Sequence, residues 1–328
     1  MLLDRVPRWR TPTPFGAALL AAAMVLSWGA AVAWAVEVTA PSLYWTDFLA
    51  EKIQTGNPDG SNVRDLITTG VIRPWGITLD SANGYLYWAE YSGHRVRRAN
   101  LDGTGIVDLV TVPSIPSESL PSGLALDLTG GKMYWTDSDI RTSSIRRANL
   151  DGTNVESLVP TSSPRDIELD VARGKMYWTD WYDGTLRRAN LDGTAMEILR
   201  TDLSLPYGLE LDLANGLIYW ADSASNRIRR AGLDGSGVTD VLTGLNDPVA
   251  LALDLQDGQL YWSEFGGGPK LRRANLDGTG AEDIVTSVMA VYDITLGPSP
   301  VPEPSTLILL GSGLAGLGAV AWRRHPRK

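Results

Sequence analysis

The sequence predicts an all-β protein built from six copies of one unit, and three observations lead to this prediction. First, a Tyr-Trp pair followed by a small residue and a carboxylate occurs six times, and successive tryptophans are 43, 47, 43, 42 and 42 residues apart. Second, every copy is interrupted by Gly, Pro or Asn within about ten residues, which suits short strands better than paired helices. Third, each copy divides into four short segments. Four-stranded units of this length are propeller blades, so we predict a six-bladed β-propeller.

The strands of one unit follow a fixed order. The first strand follows a proline, as at residues 74–80, and a turn at Asn83-Gly84 leads into the Tyr-Trp strand, as a tight hairpin requires. The third strand carries Arg-Arg-Ala and ends in Leu-Asp-Gly-Thr or a variant, before a short fourth strand. Further proline-led strands are predicted at residues 121–127, 164–170, 206–212 and 248–254.

The end of the repeat region supplies the first strand that is missing at its beginning. The region begins with Tyr44-Trp45 and lacks a proline-led strand before this pair, whereas a matching strand at residues 291–296 follows the last full unit. Pairing of these two strands within one blade closes the ring and leaves no unpaired blade. We therefore predict that the first and last strands of the propeller share a blade.

The most repeated polar residues are predicted to be structural. The carboxylate after each Tyr-Trp pair recurs in all six units, and the first Arg of Arg-Arg-Ala recurs in five. Because a buried charge needs a partner, a ring of carboxylate–Arg or carboxylate–backbone bonds explains this repetition better than one catalytic site does.

These repeats resemble the class B repeats of the low-density lipoprotein receptor family, whose YWTD domains are six-bladed propellers. The resemblance covers residues 41–297 and implies that function lies on one face of the ring. One departure is residues 52–60 of the first unit, which replace the Arg-Arg-Ala-Asn-Leu-Asp-Gly pattern. The chain has no Cys and hence no Cys-rich neighbouring module, so the family's role in lipoprotein release is not transferred.

Residues 1–35 are predicted to be a secretory signal peptide, and the propeller is assigned to residues 36–300. The leader has a basic start at Arg5, Arg8 and Arg10 and an apolar run over residues 15–33. Small residues near Ala33 offer a cleavage site. A retained membrane anchor is the alternative.

Residues 301–328 differ in composition from the repeats. Pro302-Glu303-Pro304 precedes an uncharged segment at residues 307–322 and an Arg-rich end. This order resembles the PEP-CTERM sorting signal of bacterial exported proteins, which an exosortase recognises at the membrane. The resemblance implies a short transmembrane helix and a location in the cell envelope, at the cell surface or in the extracellular matrix. A plain single-pass anchor is the alternative.

Charge and composition exclude several functions. The formal net charge is −9, and because both ends are basic the central region is more acidic still. Nucleic acid and anionic lipid are poor partners for such a surface, so membrane contact is expected only through the tail. Between the two end segments the only histidine is His94, and no catalytic motif is present. We predict no catalytic residues; a metal-dependent lactonase-like hydrolase is the alternative.

Binding residues are expected where the repeats differ. The resemblance implies that the loops between second and third strands share a face with the starts of the first strands. The candidate ligand-binding residues on this face are Trp75, Tyr91, His94, Arg165, Trp181, Tyr182, Tyr207, Phe265 and Tyr292. Aromatic side chains of this kind suit a protein or polysaccharide ligand, whereas in the alternative they only cap the blade ends.

Acidic residues are unevenly placed in the first strands. Asp166 and Glu168 lie two residues apart and therefore on one side of their strand, and Glu210 and Asp293 occupy matching positions in other blades. If this side faces the channel, the four carboxylates could hold calcium through oxygen ligands. Because no loop has a dedicated metal spacing, we expect solvated channel carboxylates and no cofactor, and calcium binding is the alternative.

Overall fold

The computed structural model describes residues 41–111, 119–139 and 141–298. The predicted signal peptide and sorting tail lie outside these residues. The described part forms six four-stranded antiparallel sheets, which confirms the predicted six-bladed propeller. Its helical elements are two short 3₁₀ turns, Val171–Arg173 and Ser223–Ser225, and none of its helices is long and apolar enough to cross a membrane.

Each blade is a meander of neighbouring strands, and we number the blades from the first complete one. The chain begins in blade 6 with β1 (Pro41–Asp47), β2 (Lys52–Gly56) and β3 (Arg64–Ile67). Blade 1 contains β4 (Pro74–Asp80), β5 (Tyr85–Glu90), β6 (Arg95–Asn100) and β7 (Val107–Val110). Blade 2 contains β8 (Pro121–Asp127), β9 (Lys132–Asp137), β10 (Ser144–Asn149) and β11 (Glu156–Pro160).

The remaining blades repeat this order. Blade 3 contains β12 (Pro164–Asp170), β13 (Lys175–Asp180), β14 (Thr185–Asn190) and β15 (Glu197–Arg200). Blade 4 contains β16 (Pro206–Asp212), β17 (Leu217–Asp222), β18 (Arg227–Gly232) and β19 (Thr239–Thr243). Blade 5 contains β20 (Pro248–Asp254), β21 (Gln259–Glu264), β22 (Lys270–Asn275) and β23 (Glu282–Val285). Finally, β24 (Val291–Pro298) returns to blade 6.

Blade 6 is closed by both ends of the described chain. Strand β24 pairs antiparallel with β1, and the register places Pro298 opposite Pro41 and Thr295 opposite Tyr44. The hydroxyl of Tyr44 also donates a hydrogen bond to the carbonyl of Pro298 at 2.6 Å. The predicted closure by the first and last strands is therefore confirmed.

The hydrophobic core lies between the blades and is dominated by the repeated Tyr-Trp pairs. The six motif tryptophans and six motif tyrosines are the largest fully buried side chains in the described residues. In one such seam Trp88 of blade 1 packs with Tyr44, Ile53 and Ile67 of blade 6. Large rings on both faces of each second strand thus bury apolar area against two neighbouring blades.

The small residue of the motif ties one blade to the next. The hydroxyl of Thr136 donates to the carbonyl of Arg165 at 2.8 Å, and that of Thr179 donates to the carbonyl of Tyr207 at 2.6 Å. Thr46 and Ser263 make the same bond to the following blade. Ala89 and Ala221 occupy this position in blades 1 and 4, which lie opposite one another in the ring.

The motif carboxylates are structural, as predicted. Each first Arg of Arg-Arg-Ala lies within salt-bridge distance of its blade's carboxylate, from 2.6 Å for Arg146 and Asp137 to 3.8 Å for Arg187 and Asp180. Blade 6 has Gln54 at the Arg position, and there Asp47 accepts backbone N–H bonds from Met289 and Ala290 at 2.8 and 3.1 Å. These buried charges are therefore paired within their own blades or, in blade 6, bonded to the connection that leads into β24.

The turns between third and fourth strands pack closely against the neighbouring blade. Their glycines have positive φ and face a carbonyl of the preceding blade's outer strand so closely that an added Cβ would collide with it. The six glycines are Gly60, Gly103, Gly152, Gly193, Gly235 and Gly278. Close approach of two backbones thus explains why Gly recurs at this turn.

Candidate functional site

The candidate site lies at one end of the central channel. The first strands of neighbouring blades contact one another around the ring and therefore line the channel. Because each blade is an antiparallel meander, the loops between second and third strands share a face with the connections between blades. We call this face the upper face, and we call the face formed by the other two sets of turns the lower face.

Six aromatic side chains meet at the upper end of the channel. We call them the mouth cluster, and they are Phe48, Trp75, Tyr91, Tyr207, Phe265 and Tyr292. Trp75 stacks on Tyr292 with ring centroids 3.8 Å apart and on Tyr91 at 5.0 Å, while Phe265 meets Tyr292 edge-on at 4.9 Å. Trp75 is only 7% exposed, so the cluster is packed across the mouth rather than being an open ring.

Arg165 is the cation of this site. Its guanidinium carbon lies 5.2, 5.1 and 5.8 Å from the ring centroids of Trp75, Trp181 and Tyr207. Its Nη1 donates only a long bond of 3.4 Å to the Ser138 hydroxyl, and its buried Nε has no hydrogen-bond partner among the described residues. A guanidinium that is held by aromatic faces and whose N–H donors are not all used can donate a hydrogen bond to an anionic or carbonyl oxygen.

Two of the three phenols in the mouth cluster, Tyr207 and Tyr292, are neutral over the physiological range. Burial raises the pKa of Tyr292 to about 12, and burial likewise raises the pKa of Tyr207 although Arg165 opposes this shift. Asp247 also acts on both phenols and raises their pKa values. Tyr207 and Tyr292 therefore present hydroxyl groups rather than phenolates to any ligand.

The other predicted binding residues lie on the same face but outside the mouth cluster. Trp181 approaches Tyr207 edge-on at a centroid distance of 6.3 Å. Tyr182 is 78% exposed and has the largest exposed fraction among the large apolar side chains of the described residues. The Nδ1 of His94 lies 2.5 Å from the carbonyl of Ser119, so this ring nitrogen is held by the backbone. The structure thus brings Trp75, Tyr91, Arg165, Tyr207, Phe265 and Tyr292 together, with Trp181 at their edge.

Sequence reasoning missed part of this face. Four aliphatic side chains on upper-face loops are exposed, namely Leu49, Ile72, Leu205 and Met289. The guanidinium of Arg73 lies 5.1 Å from the ring centroid of Phe48. Arg73, Leu205 and Asp247 each precede the proline of a first strand and have positive φ. The sequence could have indicated Arg73, Leu205 and Asp247, because a residue directly before the proline of a first strand lies in a connection between blades and therefore on the upper face.

Two carboxylates face each other across the channel. Asp166 in blade 3 and Asp293 in blade 6 are three blades apart in a ring of six and hence on opposite walls. One oxygen of Asp166 accepts from the backbone N–H of Leu209 in blade 4 at 2.7 Å, and one oxygen of Asp293 accepts from that of Ile77 in blade 1 at 2.7 Å. The other oxygen of each aspartate accepts from the backbone N–H of the next residue, Ile167 or Ile294. Both aspartates therefore bridge neighbouring first strands.

Glu168 and Glu210 lie in the neighbouring strands β12 and β16, and their charges interact with those of the two aspartates. Burial raises the pKa of Asp166 to about 7, and burial followed by the Asp166 charge raises the pKa of Glu168 to about 8. The pKa values of Glu210 and Asp293 are raised well above normal for the same reasons. The four side chains are half-buried, which is consistent with a narrow channel that water enters.

The predicted calcium site requires carboxylate oxygens that converge on one point. Both oxygens of Asp166 and of Asp293 already accept backbone hydrogen bonds. Within the described ranges no group of three or more His, Asp or Glu side chains has a geometry that could hold a metal ion. Calcium binding therefore stays a prediction with no cradle of oxygen ligands to support it.

The tail of the chain matches a known sorting motif. Residues 300–327 match the model of the PEP-CTERM protein-sorting motif. The chain carries a PEP-CTERM sorting signal. This signal marks an exported protein associated with the bacterial cell envelope or surface, and it includes the predicted Pro302, Glu303 and Pro304.

Solved structures confirm the propeller fold of the chain. It is similar to a chain in the crystal structure of a nidogen/laminin complex, with a TM-score of 0.69, 24% identity and coverage of 80% of this chain and 100% of that one. It is similar to TolB from Acinetobacter baumannii, with a TM-score of 0.63, 12% identity and coverage of 80% and 67%. A virginiamycin B lyase from Staphylococcus aureus gives a TM-score of 0.56, 18% identity and coverage of 77% and 86%. The resemblance to YWTD propellers is thus confirmed for the fold, which binding proteins and enzymes share.

Proposed function

We propose that this PEP-CTERM protein is an exported, non-catalytic binding propeller that recognises an extracellular protein or polysaccharide through its upper face. One observation carries the proposal: Arg165 lies at the mouth of the channel among three aromatic rings, and its buried Nε has no hydrogen-bond partner among the described residues. Trp, Tyr and Arg are the residues most enriched in binding hot spots, because they combine large apolar area with a polar group.

The surroundings of Arg165 fit a binding surface. Leu49, Tyr182 and Met289 are 53%, 78% and 55% exposed, and all three lie on upper-face loops. A packed aromatic centre with an exposed apolar rim favours a protein partner over a sugar chain, since aliphatic side chains add little to sugar binding but much to protein interfaces. The nidogen propeller, which shares the fold, was crystallised with laminin.

A binding assay with matched variants tests the upper face. The full-length chain in detergent is titrated against envelope proteins and extracellular polysaccharide isolated from the host bacterium. We expect Arg165→Ala and Tyr182→Ala each to weaken saturable binding by about tenfold or more, the size of a hot-spot loss. Leu128→Ala is the control, because Leu128 is 43% exposed but lies in a lower-face turn. Equal binding by Tyr182→Ala and the wild type would place recognition elsewhere.

The sorting tail provides a separate test of the proposed location. We infer that an exosortase-type enzyme recognises Pro302-Glu303-Pro304 and that this step fixes the protein in the envelope or the surrounding matrix. Deleting residues 301–328 is expected to release most of the protein into the medium, and Glu303→Ala is expected to leave the full-length mass in the membrane fraction. Fractionation with intact-mass spectrometry measures both, and Lys328→Arg is the control. Unchanged location and mass in both variants would contradict the inference.

A further inference from the structure

A second concave site lies on the lower face, at the seam between blades 3 and 4. It is a cavity of about 440 Å³, within the range of about 300–1,000 Å³ that small-ligand pockets occupy. Blade 3 contributes Arg173, Lys175 and Arg188 to its wall, and blade 4 contributes Gly232, Leu233 and Asp234. It is separate from the upper face and from the channel carboxylates, because its residues come from the turns at the other end of the blades.

The cavity coincides with a departure from the repeat. The other five blades have Asn where blade 4 has Gly232, and in each the Asn side-chain amide donates to a Thr or Ser hydroxyl four residues later at 2.8–2.9 Å. The backbone of blade 4 is unchanged, since the N–H of Gly232 donates to the carbonyl of Ser236 at 2.8 Å, as the N–H of Asn100 does to that of Thr104. Only the side chain is missing, and its absence leaves room beside Leu233.

Blade 3 places two cations, Arg173 and Lys175, beside this space, and no other blade has a cation at both of these positions. Arg173 occupies the turn position held by Asn83 in blade 1 and Asn215 in blade 4, and Lys175 occupies the position of Leu217. The Nη1 of Arg173 donates to Asp170 at 2.8 Å while its side chain remains 60% exposed. The Nζ of Lys175 donates to the neutral side-chain oxygen of Asn190 at 2.6 Å. Both side chains therefore keep N–H donors that their bonds within blade 3 do not use.

The remaining charges at the cavity are tied to the protein. Arg188 donates to Glu197 on the outer strand at 2.6 Å and to the carbonyl of Leu233 at 3.0 Å. Asp234 accepts from the backbone N–H and the hydroxyl of Ser236 at 2.9 and 2.6 Å. Arg173 and Lys175 are thus the groups able to meet a ligand, next to the apolar surface of Leu233 and the glycine backbones.

We propose that this lower-face cavity binds an anionic sugar unit, whose carboxylate or sulfate group is held by Arg173 and Lys175 while its ring lies against Leu233 and the backbone of Gly232. Charge-assisted N–H bonds to an anionic oxygen are about twice as strong as neutral ones, so two local cations can hold an anionic group although the protein as a whole is acidic. An isolated inorganic anion would leave the apolar wall uncovered.

Every test variant can be taken from another blade of the same ring. Gly232→Asn restores the residue found in five blades; its Cβ would lie 2.9 Å from the Asp234 carboxylate, a neighbour that Asn already has elsewhere in the ring. Arg173→Asn copies Asn215, which bonds to its own strand's aspartate as Arg173 does. Lys175→Gln copies Gln259, whose amide donates to Asn275 at 2.9 Å. These changes remove space or charge while keeping local bonds.

The experiment titrates trigalacturonate into the full-length chain in detergent by isothermal calorimetry at low salt. We expect saturable binding to the wild type, a loss of about tenfold or more in Gly232→Asn, and losses of about three- to tenfold in Arg173→Asn and Lys175→Gln. Lys132→Gln is the matched control. Lys132 bonds to Asn149 at 2.6 Å as Lys175 does to Asn190, but it lies at the seam between blades 2 and 3, where blade 3 has Asn190 at the position of Gly232. Neutral maltotriose is expected not to bind.

Three outcomes would overturn the proposal. Undiminished binding by Gly232→Asn or by the two charge variants places the ligand elsewhere, and an equal loss in Lys132→Gln indicates diffuse attraction rather than a site. Sodium sulfate that binds as tightly as trigalacturonate overturns the assignment to a sugar and leaves a site for a small inorganic anion. Circular dichroism of each variant separates loss of binding from loss of fold.

Discussion

Gly152→Ala is expected to lower the unfolding temperature of the propeller by about 10 °C, which corresponds to roughly 4 kcal/mol for a domain of this size. Gly152 has a φ of +84°, and a Cβ on it would collide with the backbone of Leu109 in the outer strand of blade 1. Because backbone cannot rotate away as a side chain can, the seam between blades 1 and 2 must open.

Gly131→Ala is the matched control for this variant. Gly131 also has positive φ, at +64°, but no heavy atom lies within 4 Å of its ideal Cβ position. Its replacement carries only the backbone strain of a left-handed Ala, about 1 kcal/mol and therefore about 3 °C. Thermal unfolding followed by circular dichroism measures both. If the two variants unfolded at the same temperature, close approach of the blades would not explain the repeated glycine.

The propeller is expected to be less stable at pH 8 than at pH 5 because of the channel carboxylates. The pKa values of Asp166 and Glu168 are raised to about 7 and about 8, whereas the unfolded chain ionises these groups near pH 4. In this interval the folded state binds more protons than the unfolded state, so the free energy of unfolding falls as pH rises. The stability contributed by the protonated carboxyls is complete below about pH 4 and lost by about pH 8.

Glu168→Gln is expected to remove much of this slope and to raise the free energy of unfolding at pH 8 by about 2 kcal/mol, because the amide keeps the shape of the side chain without its charge. Urea unfolding at pH 5 and pH 8, with chelator present, measures the effect. Glu156→Gln is the control, since Arg147 lowers the pKa of that exposed carboxyl instead. A wild-type protein equally stable at both pH values would contradict the burial of these charges.

The repeats made the ring predictable, whereas the site depends on contacts between repeats. Six Tyr-Trp strands and the unmatched strand at residues 291–296 were enough to predict the blade count and the closure through blade 6. Spacing could also place Asp166 and Glu168 on the same side of their strand. It could not show that Asp166 bonds to the backbone of blade 4, because that bond depends on the distance between neighbouring first strands.

The same limit applies to the upper and lower faces. The sequence located Trp75 and Arg165 at the mouth, but the stacking of Trp75 on Tyr292 is a contact between residues more than two hundred positions apart. The lower-face cavity was visible only as one Gly in place of Asn. Its significance requires knowing that Arg173 and Lys175 of the preceding blade face the same space.

The pairing of Pro41 with Pro298 also orients the whole ring. Both strand ends lie at the lower face, so the chain that continues toward the sorting signal leaves the propeller there. Arg173 and Lys175 therefore lie at the same end of the propeller as Pro298, and the mouth cluster lies at the opposite end. If both proposed sites bind, the propeller joins a ligand at the end where its chain leaves to a second ligand at the other end.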